Sequence, residues 1–198
     1  NVHVLYAVAW AMVEYPTALS PDRTKWALEL ARLANRLNPN HDWALQALGV
    51  ALYRSGSWPE AQDALQRSRA KNETGEWPIE LRARRAHALA FESMAAFRQM
   101  HPEEAKSLLR LAERELGVQA FRPPDPQVDG LHLERLAYRA LTEARQLLDE
   151  SVEFSDKERN ERIELALEEA RRVVKSTDPV VGGFGRISRS WSIWSELA

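Results

Sequence analysis

Five histidines (His3, His41, His87, His101 and His132) are the side chains best suited to proton transfer or metal binding near neutral pH. No two of them stand four residues apart, and no carboxylate joins them in a ligand pattern. They read as helix-end or surface residues. Glu103-Glu104 and Glu168-Glu169 are the obvious acid/base candidates. Adjacent residues on a helix point about 100° apart, so such pairs read as solvated faces. Gly182-Gly183-Phe184-Gly185-Arg186 is the one glycine-rich loop. A phosphate cradle needs a strand before it and a lysine after it; Val180-Val181 is a poor strand and no lysine follows, so a hinge is expected. Ser188, Ser190, Ser192 and Ser195 lack a nucleophile elbow, and no histidine follows them. With no cysteine in 198 residues, disulfides and thiolate chemistry are excluded. Catalysis has no address here: no enzyme activity, metal or cofactor is expected.

The elements that would carry these residues are helical almost throughout. An apolar stretch at 2–15 reads as a buried helix. A loop bracketed by Pro16 and Pro21 leads to a helix at 22–37, where Ala27, Leu30, Ala31, Ala34 and Leu37 recur at three and four. Asn38-Pro39-Asn40 ends it, because proline cannot continue the ladder. Helices at 41–54 and 58–71 flank Ser55-Gly56-Ser57, the second opened by Trp58-Pro59-Glu60. A polar loop at 72–78 precedes a long helix at 79–100, and His101-Pro102 restarts the chain to 116. Pro123, Pro124 and Pro126 mark a semi-rigid connector within 119–130. Helices at 131–150 and 156–175 follow, the second with a Ser155/Glu158 capping box. A tail at 187–197 carries Trp191 and Trp194. The 27 basic and 29 acidic residues nearly cancel. A net charge of −2 gives no reason to expect nucleic acid. No apolar run reaches the roughly 20 residues of a membrane span.

Repetition is the most informative feature. Leu48-Gly49, Leu52, Tyr53, Gly56, Trp58, Glu60-Ala61, Leu65 and Ser68 form one spaced set. Thirty-four residues before Ala61, Leu65 and Ser68 stand Ala27, Ala31 and Ala34; forty-four after them stand Ala105, Leu109 and Ala112. Ser93 lies twelve before Ala105, as Gly49 lies twelve before Ala61. Antiparallel helices approach closely only where small residues face each other, so these pairs are expected at the crossings, with leucines filling the gaps between hairpins. The set resembles the tetratricopeptide repeat. The match is clearest over 41–72, where Leu45 and Leu52 replace the usual tryptophan and tyrosine. The stretch 9–68 is also similar to repeat segments attached to bacterial serine/threonine kinases and WD40 proteins. The resemblance implies an all-α fold of stacked antiparallel hairpins in a tetratricopeptide-like superhelix. Its units are about 1–40, 41–72 and 79–116, with the C-terminal extension 131–198 added.

The first helix of each hairpin lines a concave groove in that family. By position, 41–72 would present Trp43, Gln46, Val50, Tyr53 and Arg54; 1–40 would present His3, Tyr6, Trp10 and Val13; 79–116 would present His87, Ala90, Met94, Phe97 and Arg98. Aromatic anchors flanked by arginine are typical of protein interfaces. Trp43 and Gln46 occupy positions where some members clamp a terminal carboxylate with lysine and asparagine, so an apolar or aromatic peptide is expected instead. The apolar tail (Ile187, Trp191, Ile193, Trp194, Leu197) is expected to cap the last hairpin, with docking into the groove next. The reading is a scaffold module for protein–protein interaction, part of a larger cytoplasmic protein, with another polypeptide or its own tail as partner. The alternatives are a self-association (homo-oligomer) element and a regulatory domain of an enzyme encoded elsewhere in the parent chain.

Overall fold

The first three helix starts in this protein are set by caps that the sequence supplies locally. In the computed structural model, which describes residues 1–14, 20–70, 79–120 and 132–149, α1 (Val2–Val13) begins where the Asn1 side chain accepts from the His3 N–H. In α2 (Pro21–Leu37) the Ser20 hydroxyl accepts from the Arg23 N–H, and proline occupies the first turn. His41 Nδ1 plays the same part for α3 (Asp42–Arg54), accepting from the Ala44 N–H. Next come α4 (Trp58–Ala70), α5 (Ile79–Arg98) and α6 (Pro102–Leu116). A 3-10 turn, Gly117–Ala120, precedes α7 (His132–Asp149). The described residues contain helices and no strand. The expected connector after 120, the helix at 156–175, the glycine-rich loop and the tail lie outside them.

The α3/α4 pair is antiparallel and held at close range. Gly49 lies seven residues after Asp42 and Ala61 seven before Ser68, and both levels touch. The Ser68 hydroxyl donates to the Asp42 carbonyl at 2.7 Å. A methyl group on Gly49 would stand 2.5 Å from Leu65 Cγ and 3.2 Å from the Ala61 carbonyl. The α5/α6 pair is built alike. Ser93, in the place of Gly49, donates to the Ala105 carbonyl at 2.7 Å, and Arg82 Nη2 donates to the Arg114 carbonyl at the far end. The turns match as well. Ser57 N–H donates to Leu52 O and His101 N–H to Ala96 O, each at 3.0 Å, while Gly56 and Met100 donate to Tyr53 O and Phe97 O. Gly56 has φ 86° and Met100 has φ 64°, so a methionine stands where the backbone asks for glycine.

The helices at odd positions form an inner layer. α1 packs on α3, α3 on α5, and α5 on α7, while α2, α4 and α6 each pack against the helices on either side of them in the chain. The neighbours run parallel: Tyr6 meets His41 and Trp43 near the helix starts, and the Val13 carbonyl meets Arg54 near the ends. Enclosed by α1, α2, α4 and α5, α3 buries ten consecutive residues, Ala44 to Tyr53. α1 corrects the expectation of a buried helix. It stops at Val13, and only Ala9 and Val13 of it are buried. Val4 and Val8 face outward, away from α2 and α3, which cover the rest of the helix together with the His87 ring of α5 at Trp10.

Two stability changes follow. Met100→Gly relieves a left-handed backbone on a fully formed turn and should stabilise by about 1 kcal/mol, read as a higher urea midpoint. Gly49→Ala gains about 1 kcal/mol of helix propensity but must displace a buried leucine, at a strain of about 1–3 kcal/mol. It should therefore destabilise. Combined with Leu65→Ala, the loss should be smaller than the sum of the single changes.

Candidate interaction surface

The inner layer is stitched by rings. His3 Nδ1 and the Tyr6 hydroxyl are 3.0 Å apart, and both rings lie against His41. Tyr6 stacks on Trp43 with centroids 6.5 Å apart; Trp43 meets Trp10; Trp10 stacks on His87 at 4.9 Å. His87 continues to Phe91, and Phe91 to Tyr53 edge-on at 5.4 Å. This ladder crosses three helices. Its first part (Tyr6, Trp10, His41, Trp43) is half-buried, with His3 exposed; its last part (His87, Phe91, Tyr53) is buried.

Beneath Trp43 lies a buried guanidinium. Arg84 is 3% exposed, with its Cζ 4.4 Å from the Trp43 ring centroid. Its Nε donates to Gln46 Oε1 at 2.7 Å, Nη1 to Asp42 at 2.6 Å and Nη2 to the Ser68 hydroxyl at 3.3 Å. These bonds orient the Gln46 amide, whose nitrogen reaches the Arg84 carbonyl and His87 Nδ1. An amide nitrogen only donates, so Nδ1 accepts and the neutral ring carries its proton on Nε2. That atom points toward buried Glu14, 3.5 Å away. Four helices thus share one polar cluster, within which the buried Arg84 guanidinium keeps its partners.

Two more arginines serve the same end. Arg69 grips Glu92, a wholly buried carboxylate, with two bonds of 2.7 and 3.0 Å. Burial pushes the Glu92 carboxyl above its ordinary range, and Arg69 draws it part of the way back. Arg54 donates from Nε to the Val13 carbonyl and through Nη1 and Nη2 to both oxygens of Glu143, while lying over the Tyr53 and Phe91 rings. One side chain therefore joins α1, α3, α5 and α7. Arg145 fastens α7 further, to Glu113 and the Ala120 carbonyl. The Tyr53 hydroxyl is held above its usual range, chiefly by burial, with Arg98 beside it opposing the shift.

The nine residues expected to line a groove separate accordingly. Gln46, Val50, Tyr53, His87 and Met94 are buried between helices. The Arg54 side chain is spent on Val13 and Glu143. Trp43 and Phe97 are half-buried, and Arg98 is exposed. Burial of His87 corrects the expectation that every histidine sits at a surface or helix end; it is a connector within the polar cluster. Tyr6 and Trp10 join Trp43 at the accessible end. Sequence reasoning did not single out His41, Asp42 or Arg84 for this region. Among the described residues, no group of three histidines or carboxylates could hold a metal ion, and no helix is long and apolar enough to cross a membrane. No family model matches the chain, and no curated protein is detectably similar to it.

Arg84→Met removes the charge that Asp42 and Gln46 enclose and should cost about 3–5 kcal/mol in chemical denaturation. Glu92 sets a pH dependence. Folding raises its pKa above 4.5, so its contribution to stability is greatest below that value and declines as pH climbs through the raised one. Glu92→Gln cannot ionise; stability measured from about pH 4 to 7 should lack that decline.

Proposed function

We propose that this chain is a tetratricopeptide-like interaction module that holds a polypeptide on the inner layer, at the end carrying Tyr6, Trp10 and Trp43. One observation carries the reading: the inner layer ends in a shelf of half-buried rings that the packing leaves reachable. Two helices, α1 and α3, bring these rings together. The module reading is supported by two hairpins with the same turn bonds and the same small-residue crossing, offset by 44 residues in the chain. The rest of the layer favours rigidity, since Arg84 and Arg54 lock it from within.

Such a shelf selects by shape and apolar contact. Its charges, Arg84 and Asp42, already pair with each other at 2.6 Å. An incoming aromatic or large aliphatic side chain, laid across Tyr6 and Trp43, gains ring contact without separating that pair. A terminal carboxylate there meets, in Arg84, a guanidinium already paired with Asp42.

The test is selection of a displayed peptide library on the intact chain. Peptides with a recurring apolar or aromatic anchor are expected. Their affinity should fall at least roughly tenfold in Tyr6→Ala and in Trp43→Ala proteins shown to remain helical. Enrichment of anchors indifferent to both changes, or no enrichment, would remove the shelf as the binding surface.

A further inference from the structure

α2 presents a second apolar surface, made of residues other than those of the shelf. Ala27, Ala31 and Ala34 face the core. Beside them runs another stripe: Trp26, Leu30, Leu33 and Leu37, spaced four, three and four. Trp26 is 60% exposed, Leu37 58% and Leu33 36%, with Leu30 half-buried. This is the a/d spacing of a helix built to meet another helix, extending about 16 Å along the axis. Large apolar side chains at such spacing are rarely left in water.

The stripe is complementary to itself. If a second α2 lies antiparallel across it, the layers close in matched pairs: Trp26 against Leu37 of the second copy, Leu30 against Leu33. The same register then repeats by two-fold symmetry. The flanking position just before Leu30 is Glu29, and the one just before Leu37 is Arg36. In the antiparallel register these face each other across the seam, Glu29 to Arg36 of the second copy and Arg36 to its Glu29. Both are exposed, and neither forms an ion pair among the described residues.

We infer that α2 is a homodimerisation surface, pairing antiparallel with α2 of a second copy through Trp26, Leu30, Leu33 and Leu37 and two Glu29–Arg36 ion pairs. The inference is independent of peptide binding on the shelf. A single helix pair of this length makes a weak, concentration-dependent dimer.

Sedimentation equilibrium of the full chain, from about 1 to 500 μM, reads it directly. The wild type should dimerise, and Leu33→Glu should be monomeric. Glu29→Arg alone and Arg36→Glu alone place like charges at both of these pairs and should each weaken the dimer about tenfold. The doubly exchanged protein, E29R/R36E, should regain it. An equimolar mixture of the two single variants should form mixed dimers, because each then supplies the charge the other lacks. All substitutions are at exposed positions, and circular dichroism is the check that each variant is folded. A wild type monomeric throughout the range would overturn the inference and leave the stripe to another occupant, either residues 150–198 or a different protein. A dimer indifferent to Leu33→Glu and to both charge reversals would overturn it equally, placing the contact elsewhere.

Discussion

Between α3 and α4 there is no room for a methyl group. Gly49 brings the two backbones close enough for Leu65 and the Ala61 carbonyl to occupy the space a side chain would take. In α5/α6 the equivalent position is a serine, whose hydroxyl bonds the facing carbonyl. Around these closely packed pairs the leucines fill the remaining space, and Leu45, Leu65 and Leu89 are almost fully buried. The spacing of successive hairpins, and so the meeting of the aromatic rings across α1, α3 and α5, depends on that first approach.

Close packing alone would let neighbouring helices slide, since alanine against alanine specifies little register. The buried polar groups supply it. Arg84 bonds Asp42, Gln46 and Ser68 only when α5 stands at one height beside α3 and α4. Arg54 imposes a similar condition on α1 and α7, and Arg69 with Glu92 on α4 and α5. A slip of one turn would strand each of these charges in an apolar interior, at a cost far above that of losing a van der Waals contact. The Glu92 carboxyl shows the tension, since burial works against its charge and Arg69 for it.

These features bear on where a partner can be held. Residues that lock the layer are withdrawn from its surface, and what remains reachable lies at its edges: the ring shelf at one end of α1 and α3, and the leucine stripe on α2. The two surfaces differ in chemistry. The shelf has broad faces and a satisfied charge pair beneath, suited to a side chain laid flat. The stripe has helical spacing and unspent charges on one flank, suited to another helix.

Helix positions, turns and crossings were legible in the sequence because each follows from local rules: apolar spacing of three and four, proline at a helix start, a small residue twelve before another. Met100 could also be placed opposite Gly56 by the same count. The inner face was legible as a set of residue types, but not as surface or interior. Nothing near Arg84 in the chain distinguishes it from Arg82 and Arg85, and His87 looked like any solvated histidine. Their roles depend on Asp42, Gln46 and Glu14, more than 35 residues away, and Arg54 meets Glu143 across 89. The sequence by itself therefore determined an all-helical chain and the residues at which its hairpins close. Only the tertiary structure decided which charges are buried and which rings stay exposed, because burial depends on what packs opposite, and that partner comes from a distant helix.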